Sequence, residues 1–167
     1  MLDNLKLYKV LSYILIVIAF IIGFFDVLFL MASFLNPSLL LYVFVLLCFV
    51  IYTFSSYKFY NLCILKPQEI KKSLKDWIKA NAIVSLIFCS LMCLNGITIL
   101  LSNNAFLTKY INDTLLNQPE VPKEITAAYI LKIFKIIAFI FLLIGSTGLL
   151  HIIMTFRLLK KNSTLFK

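Results

Sequence analysis

The chain is poor in almost everything a soluble enzyme displays. Seven acids, one histidine and one tryptophan serve 167 residues. A single histidine rules out a histidine pair on a metal, and the acids are too scattered to form a carboxylate dyad. No glycine-rich phosphate loop, nucleophile elbow or nucleic-acid motif is present, so no cofactor is expected and no catalytic residue is assigned. The four cysteines (Cys48, Cys63, Cys89, Cys93) avoid C-x-x-C spacing and the predicted outer loops, which argues against structural disulfides. Proline occurs only at Pro37, Pro67, Pro119 and Pro122.

What remains is apolar. Hydrophobic residues make up 62% of the chain and mean hydropathy is +1.01, leaving too little polar surface for an ordinary soluble domain. The four longest apolar stretches are about 11–31, 39–55, 82–101 and 136–156. They contain one acid and one histidine and no proline. Each is long enough for a helix to cross the ~30 Å hydrocarbon core of a bilayer. The expected fold is therefore all-α: a left-handed, four-helix transmembrane bundle forming a single integral membrane domain over 1–167. The first stretch exceeds a signal peptide's apolar region and is read as a retained anchor.

The net charge of +9 reports topology rather than nucleic acid. Lys6 and Lys9 precede the first span. Lys58, Lys66, Lys71, Lys72, Lys75 and Lys79 lie between the second and third, and Arg157, Lys160, Lys161 and Lys167 follow the fourth. Only Lys109, Lys123, Lys132 and Lys135 fall on the other side. The positive-inside rule then places both termini and the middle loop in the cytoplasm, in a cell (inner) membrane.

The loops carry their own signals. Asn36-Pro37 is a cap followed by a proline at the first helical position, so spans one and two form an antiparallel hairpin. In the inner loop Ile70, Leu74, Trp77 and Ile78 recur at helical spacing among lysines. This predicts a short amphipathic helix at headgroup depth, where anionic cytoplasmic lipid headgroups are the expected partner. The outer loop predicts a short helix carrying Tyr110, Ile111, Leu115 and Leu116, a break at Pro119, and a long helix opened by Pro122. Its stem of Ile125, Tyr129 and Ile133 is expected to pack on the membrane surface or a neighbouring helix. An offset of 73 residues aligns Lys6 with Lys79, Ser12 with Ser85 and Gly23 with Gly96, a weak sign of a parallel repeat.

All four glycines (Gly23, Gly96, Gly145, Gly148) lie within spans, where small residues let helix backbones approach closely. Gly145-Ser146-Thr147-Gly148 on span four and Ser85, Cys89, Cys93 and Gly96 on span three are expected to face each other, or to form a homo-oligomer seam.

Asp26 is the costliest residue to place in lipid and should face protein or water. At ~1.5 Å per residue it sits about 7 Å outward from the middle of span one. Asn95, Tyr42 and Thr98 are expected near that level, making a candidate intramembrane polar site for a proton or cation, or one that merely satisfies itself. His151, with Thr147 and Thr155 on its face, is a second candidate about 15 Å away in depth, more simply read as a hydrogen-bonded structural residue. Tyr52, Thr53 and Ser85 fall near its level.

Two functions follow as expectations. One is a non-catalytic structural or assembly subunit of a membrane complex, with itself or other membrane subunits as partners. The other is a small proton- or cation-coupled carrier or channel built on Asp26.

Overall fold

The computed structural model describes residues 2–65, 71–116 and 126–166. All regular elements among them are helical. Helix α1 spans Leu2–Ser33, α2 Leu40–Phe59, α3 Lys72–Leu101, α4 Asn104–Leu116 and α5 Ala127–Lys161. Four of these, all but α4, are long and apolar enough to cross a bilayer.

The helices run uninterrupted because nothing in them breaks the backbone ladder. Among the described residues no proline lies inside an α-helix, and no residue has a positive φ. In hydrocarbon this matters more than propensity, since an open peptide group has no water to turn to. Hydroxyls in the spans follow the same logic. Thr53 donates to the Phe49 carbonyl, Ser56 to Thr53 and Ser85 to Asn81.

Between α1 and α2 the chain turns through a short 3-10 segment, Pro37–Leu39. The Asn36 side chain accepts from the Ser38 amide at 3.2 Å, and Pro37 occupies a first-turn position where its missing N–H costs nothing. The α1–α2 pairing is antiparallel: Tyr13 meets Tyr57, Phe20 meets Phe54, and Gly23 lies against Val50.

The end of α2 widens into a π-helical turn, Tyr60–Leu65. Beyond residue 70 the chain enters α3 directly. The amphipathic segment expected in the inner loop is thus, from Lys72 on, the first part of the spanning helix rather than a separate element. Ile78 is fully buried and Trp77 exposed, so the segment is two-faced. Lys66, Pro67 and Ile70 lie outside the described residues, as do Pro119, Pro122, Lys123 and Ile125 of the outer loop. Within α4 Ile111 is buried and Tyr110 exposed. On α5 Tyr129 and Ile133 face outward.

The chain divides into two compact units, residues 1–90 with 146–167, and residues 91–145. The core of the first is built from Leu15, Phe49, Tyr52, Phe59, Ile78, Ala82, Cys89, Ile152 and Leu159. Gly148 lies where a Cβ would come 2.5 Å from the Cys89 Sγ, so the glycine is what admits the sulfur. The tail closes this core: Phe166 stacks on Phe59 with ring centroids 5.8 Å apart, and the Lys75 ammonium sits 5.3 Å above the Phe166 ring. In the second unit a Cβ on Gly96 would lie 2.7 Å from the Ala138 carbonyl oxygen, so here a backbone meets a backbone. Gly23 has only ordinary contact and Gly145 is simply buried.

Most of each spanning helix is not covered by protein. Val17, Phe20 and Phe24 on α1, Leu41 and Phe44 on α2, Ile83 and Ile87 on α3, and Phe139 and Leu150 on α5 are all more than half exposed. In water such continuous apolar faces drive aggregation, whereas in hydrocarbon they cost nothing.

Candidate functional site

The densest polar chemistry lies in the first unit, around His151. Tyr8 and Ser12 come from α1, Tyr52 from α2, and His151 and Thr155 from α5. All are buried almost completely. Each pair on one helix is four residues apart, which sets the two side chains on one face.

The hydrogens can be assigned from the contacts. Ser12 Oγ donates to the Tyr8 carbonyl at 2.8 Å, committing its only hydrogen. The His151 Nε2, 2.9 Å from Ser12 Oγ, is then the donor of that pair. Nδ1 is left as an acceptor and receives the Tyr52 hydroxyl at 2.7 Å. Thr155 Oγ1 donates to the His151 carbonyl at 2.8 Å and accepts from the Tyr8 hydroxyl at 3.1 Å. The Tyr52 and Thr155 oxygens also lie 2.9 Å apart, but each has spent its hydrogen elsewhere. That contact is made only when one of them swings.

Ring packing reinforces the bonding. Tyr8 stacks on the imidazole at 4.5 Å between centroids and 10° between planes, and Tyr52 meets it edge-on. The ring is therefore held by a stacked face, an edge contact and both nitrogens. Chemically this is a closed network tying α1, α2 and the end of α5 together. Every polar atom in it is turned toward another, and a group already satisfied has little left to offer a substrate.

Of the residues singled out by sequence, His151, Thr155 and Tyr52 belong to this network, Tyr52 through its hydroxyl on His151. Tyr8 lies before the stretch 11–31, and Ser12, inside it, entered the sequence reading only as a match to Ser85. Their spacing of four, on the face that also carries Leu15 and Ala19, was the available signal.

Asp26 is only 6% exposed, and its Oδ1 is buried with no hydrogen-bond partner among the described residues. Extending the α1–α2 register from Gly23 and Val50 puts it level with Leu46–Leu47. Tyr42 is about a turn further out and 62% exposed. Asn95 and Thr98 are exposed residues of the second unit. Among the described residues no three of His, Cys, Asp and Glu lie together as metal ligands would.

The second unit carries an open groove of about 500 Å³. It is lined by Asn104 at the start of α4 and by one face of α5: Ala128, Leu131, Lys132, Lys135, Ile136 and Phe139. The Lys135 ammonium donates to the Asn104 side-chain oxygen.

Comparison with protein-family models, curated proteins and solved structures finds no match to this chain.

Proposed function

We propose that the protein is a multi-pass subunit of a cell (inner) membrane, non-catalytic, that assembles with further copies of itself or with other membrane subunits. Both tails and the lysine-rich middle loop lie on the cytoplasmic side in this reading, against anionic headgroups. The observation that carries it is the pairing of wide outward apolar faces with a polar cluster that closes on itself. Such a molecule offers surface rather than a reaction centre. Gly23, which makes only an ordinary contact with Val50 here, suits a seam with another helix.

The test is the mass of the particle in native-lipid nanodiscs, read by light scattering. The assembly reading expects more than one polypeptide per particle. A single chain at all loadings overturns it.

A second reading is favoured by one atom. Asp26 Oδ1 is buried and unpartnered, and intramembrane acids commonly mark ion pathways. As a carrier or channel, the protein would take a proton or cation at Asp26, with Tyr42, Asn95 and Thr98 contributing on rearrangement. In proteoliposomes holding a pH- or cation-sensitive dye, wild type would then show flux that Asp26→Asn abolishes while still inserting. An assembly subunit gives no flux in either form.

A further inference from the structure

We propose that the groove on the amino-terminal part of α5 binds a single anionic phospholipid. Its phosphate would sit on Lys132 and Lys135, and the start of an acyl chain on Ile136 and Phe139. The proposal rests on α5 crossing the membrane but not on either function above.

The chemistry of the groove changes along the helix as a lipid does. After Ala128 and Leu131 come Lys132 and Lys135. Ile136 and Phe139 follow on the same face, so the change from cationic to apolar runs along the helix axis over about 10 Å. A lipid standing in a leaflet presents phosphate and then hydrocarbon in that order and direction. A free phosphate would leave the apolar part of the groove unused.

Position supports the same occupant. Lys135 is the last charged residue before the uncharged run 136–156, so its ammonium lies where hydrocarbon gives way to headgroups. The groove is not an accident of a basic surface. It lies at the end of the membrane remote from the lysine-rich tails, where cations are scarce, yet it concentrates two of them. One is also pre-set: the amide oxygen of Asn104 holds the Lys135 ammonium without neutralising it, so its charge remains available to an anion. Lys132 is exposed beside it. Leu131 and Ala128 complete the wall, with Ala128 small enough to leave room for a headgroup.

Native mass spectrometry of the full chain, released from detergent micelles doped with phosphatidylglycerol or phosphatidylcholine, tests this. The expected result is retention of phosphatidylglycerol over phosphatidylcholine, weakened up to roughly thirtyfold in Lys132→Gln/Lys135→Gln, since each lysine contributes about one kcal/mol near anionic lipid. Loss of binding in Lys71→Gln/Lys72→Gln instead, or equal retention of both lipids, overturns the site. A second measurement covers a double variant that fails to fold. Phe139→Trp in a Trp77→Phe background puts the only indole in the groove. Brominated phosphatidylglycerol, as a minor component of phosphatidylcholine vesicles, should quench it beyond its share of the lipid. Quenching in proportion to that share refutes the proposal.

Discussion

The Tyr52 hydroxyl lies 2.7 Å from Nδ1 of His151, although the two residues are 99 positions apart in the chain. The bond fixes both the ring's orientation and its tautomer, because the other nitrogen must then donate to Ser12. Three helices meet at this one imidazole.

Replacing Tyr52 with Phe leaves Nδ1 buried without its donor. The expected cost is about 1–3 kcal/mol, more than the net value of an ordinary hydrogen bond. Thermal denaturation in detergent should show the midpoint fall by several degrees. An unchanged midpoint would mean that the imidazole finds another donor and that the network is not a clamp.

The hydrogen on His151 should reside on Nε2. Nitrogen-15 NMR of the labelled single histidine distinguishes the two tautomers directly. Ser12→Ala removes the acceptor of that hydrogen and should shift the ring toward a mixture. An Nδ1-protonated ring in the wild type would reverse the assigned direction of the bonds to Ser12 and Tyr52.

Gly148→Ala and Gly96→Ala should both destabilise, by about 1–3 kcal/mol as overpacked sites do, but only one should be rescued. The alanine methyl at 148 meets a sulfur at 2.5 Å, so adding Cys89→Ala removes the obstacle. At 96 the obstacle is the Ala138 carbonyl oxygen at 2.7 Å, which no side-chain change removes. The double-mutant cycle for 148 and 89 should therefore show a favourable coupling energy. Strict additivity would place the sulfur elsewhere.

Asp26→Leu should stabilise the fold. A buried polar oxygen without a partner costs about 1–3 kcal/mol, and a similar-sized apolar side chain avoids that penalty. A lower melting temperature would reveal an unseen partner for Oδ1. A gain in stability would mark the acid as kept for something other than folding.

Phe166→Ala should loosen the tail. It removes a stacked ring from Phe59 and the aromatic face beneath Lys75, together worth roughly 1–2 kcal/mol. Limited proteolysis at the carboxyl end is the sensitive readout, and equal cleavage of variant and wild type would contradict the packing.

The spans were legible because hydrocarbon imposes a simple condition, about twenty apolar residues with at most one charge, and four segments meet it. The Asn36-Pro37 turn was legible because cap chemistry is local. The start of α3 was harder. Ile70–Ile78 has the period of an amphipathic helix, but no sequence signal says whether such a helix stops before the next span. With no proline or glycine between Lys72 and Gly96, the backbone has no reason to stop. His151 and Thr155 could be placed on one face by counting, yet Tyr8 and Ser12 could not be matched to them without knowing how deeply α1 sits beside α5. Asp26 was marked by its charge alone. Tyr42, exposed and about a turn further out, shows how little an expected depth says about which way a side chain turns.

By itself the sequence determined which segments are long and apolar enough to cross a bilayer, and that polar groups within such segments need partners, because hydrocarbon supplies none. Only the tertiary structure decided the partners. Ser12 meets His151 across 139 residues and Tyr8 meets Thr155 across 147. Helical period assigns a residue to a face, whereas the rotation and depth of one helix against another are set by where side chains such as Cys89 find a glycine to pack on.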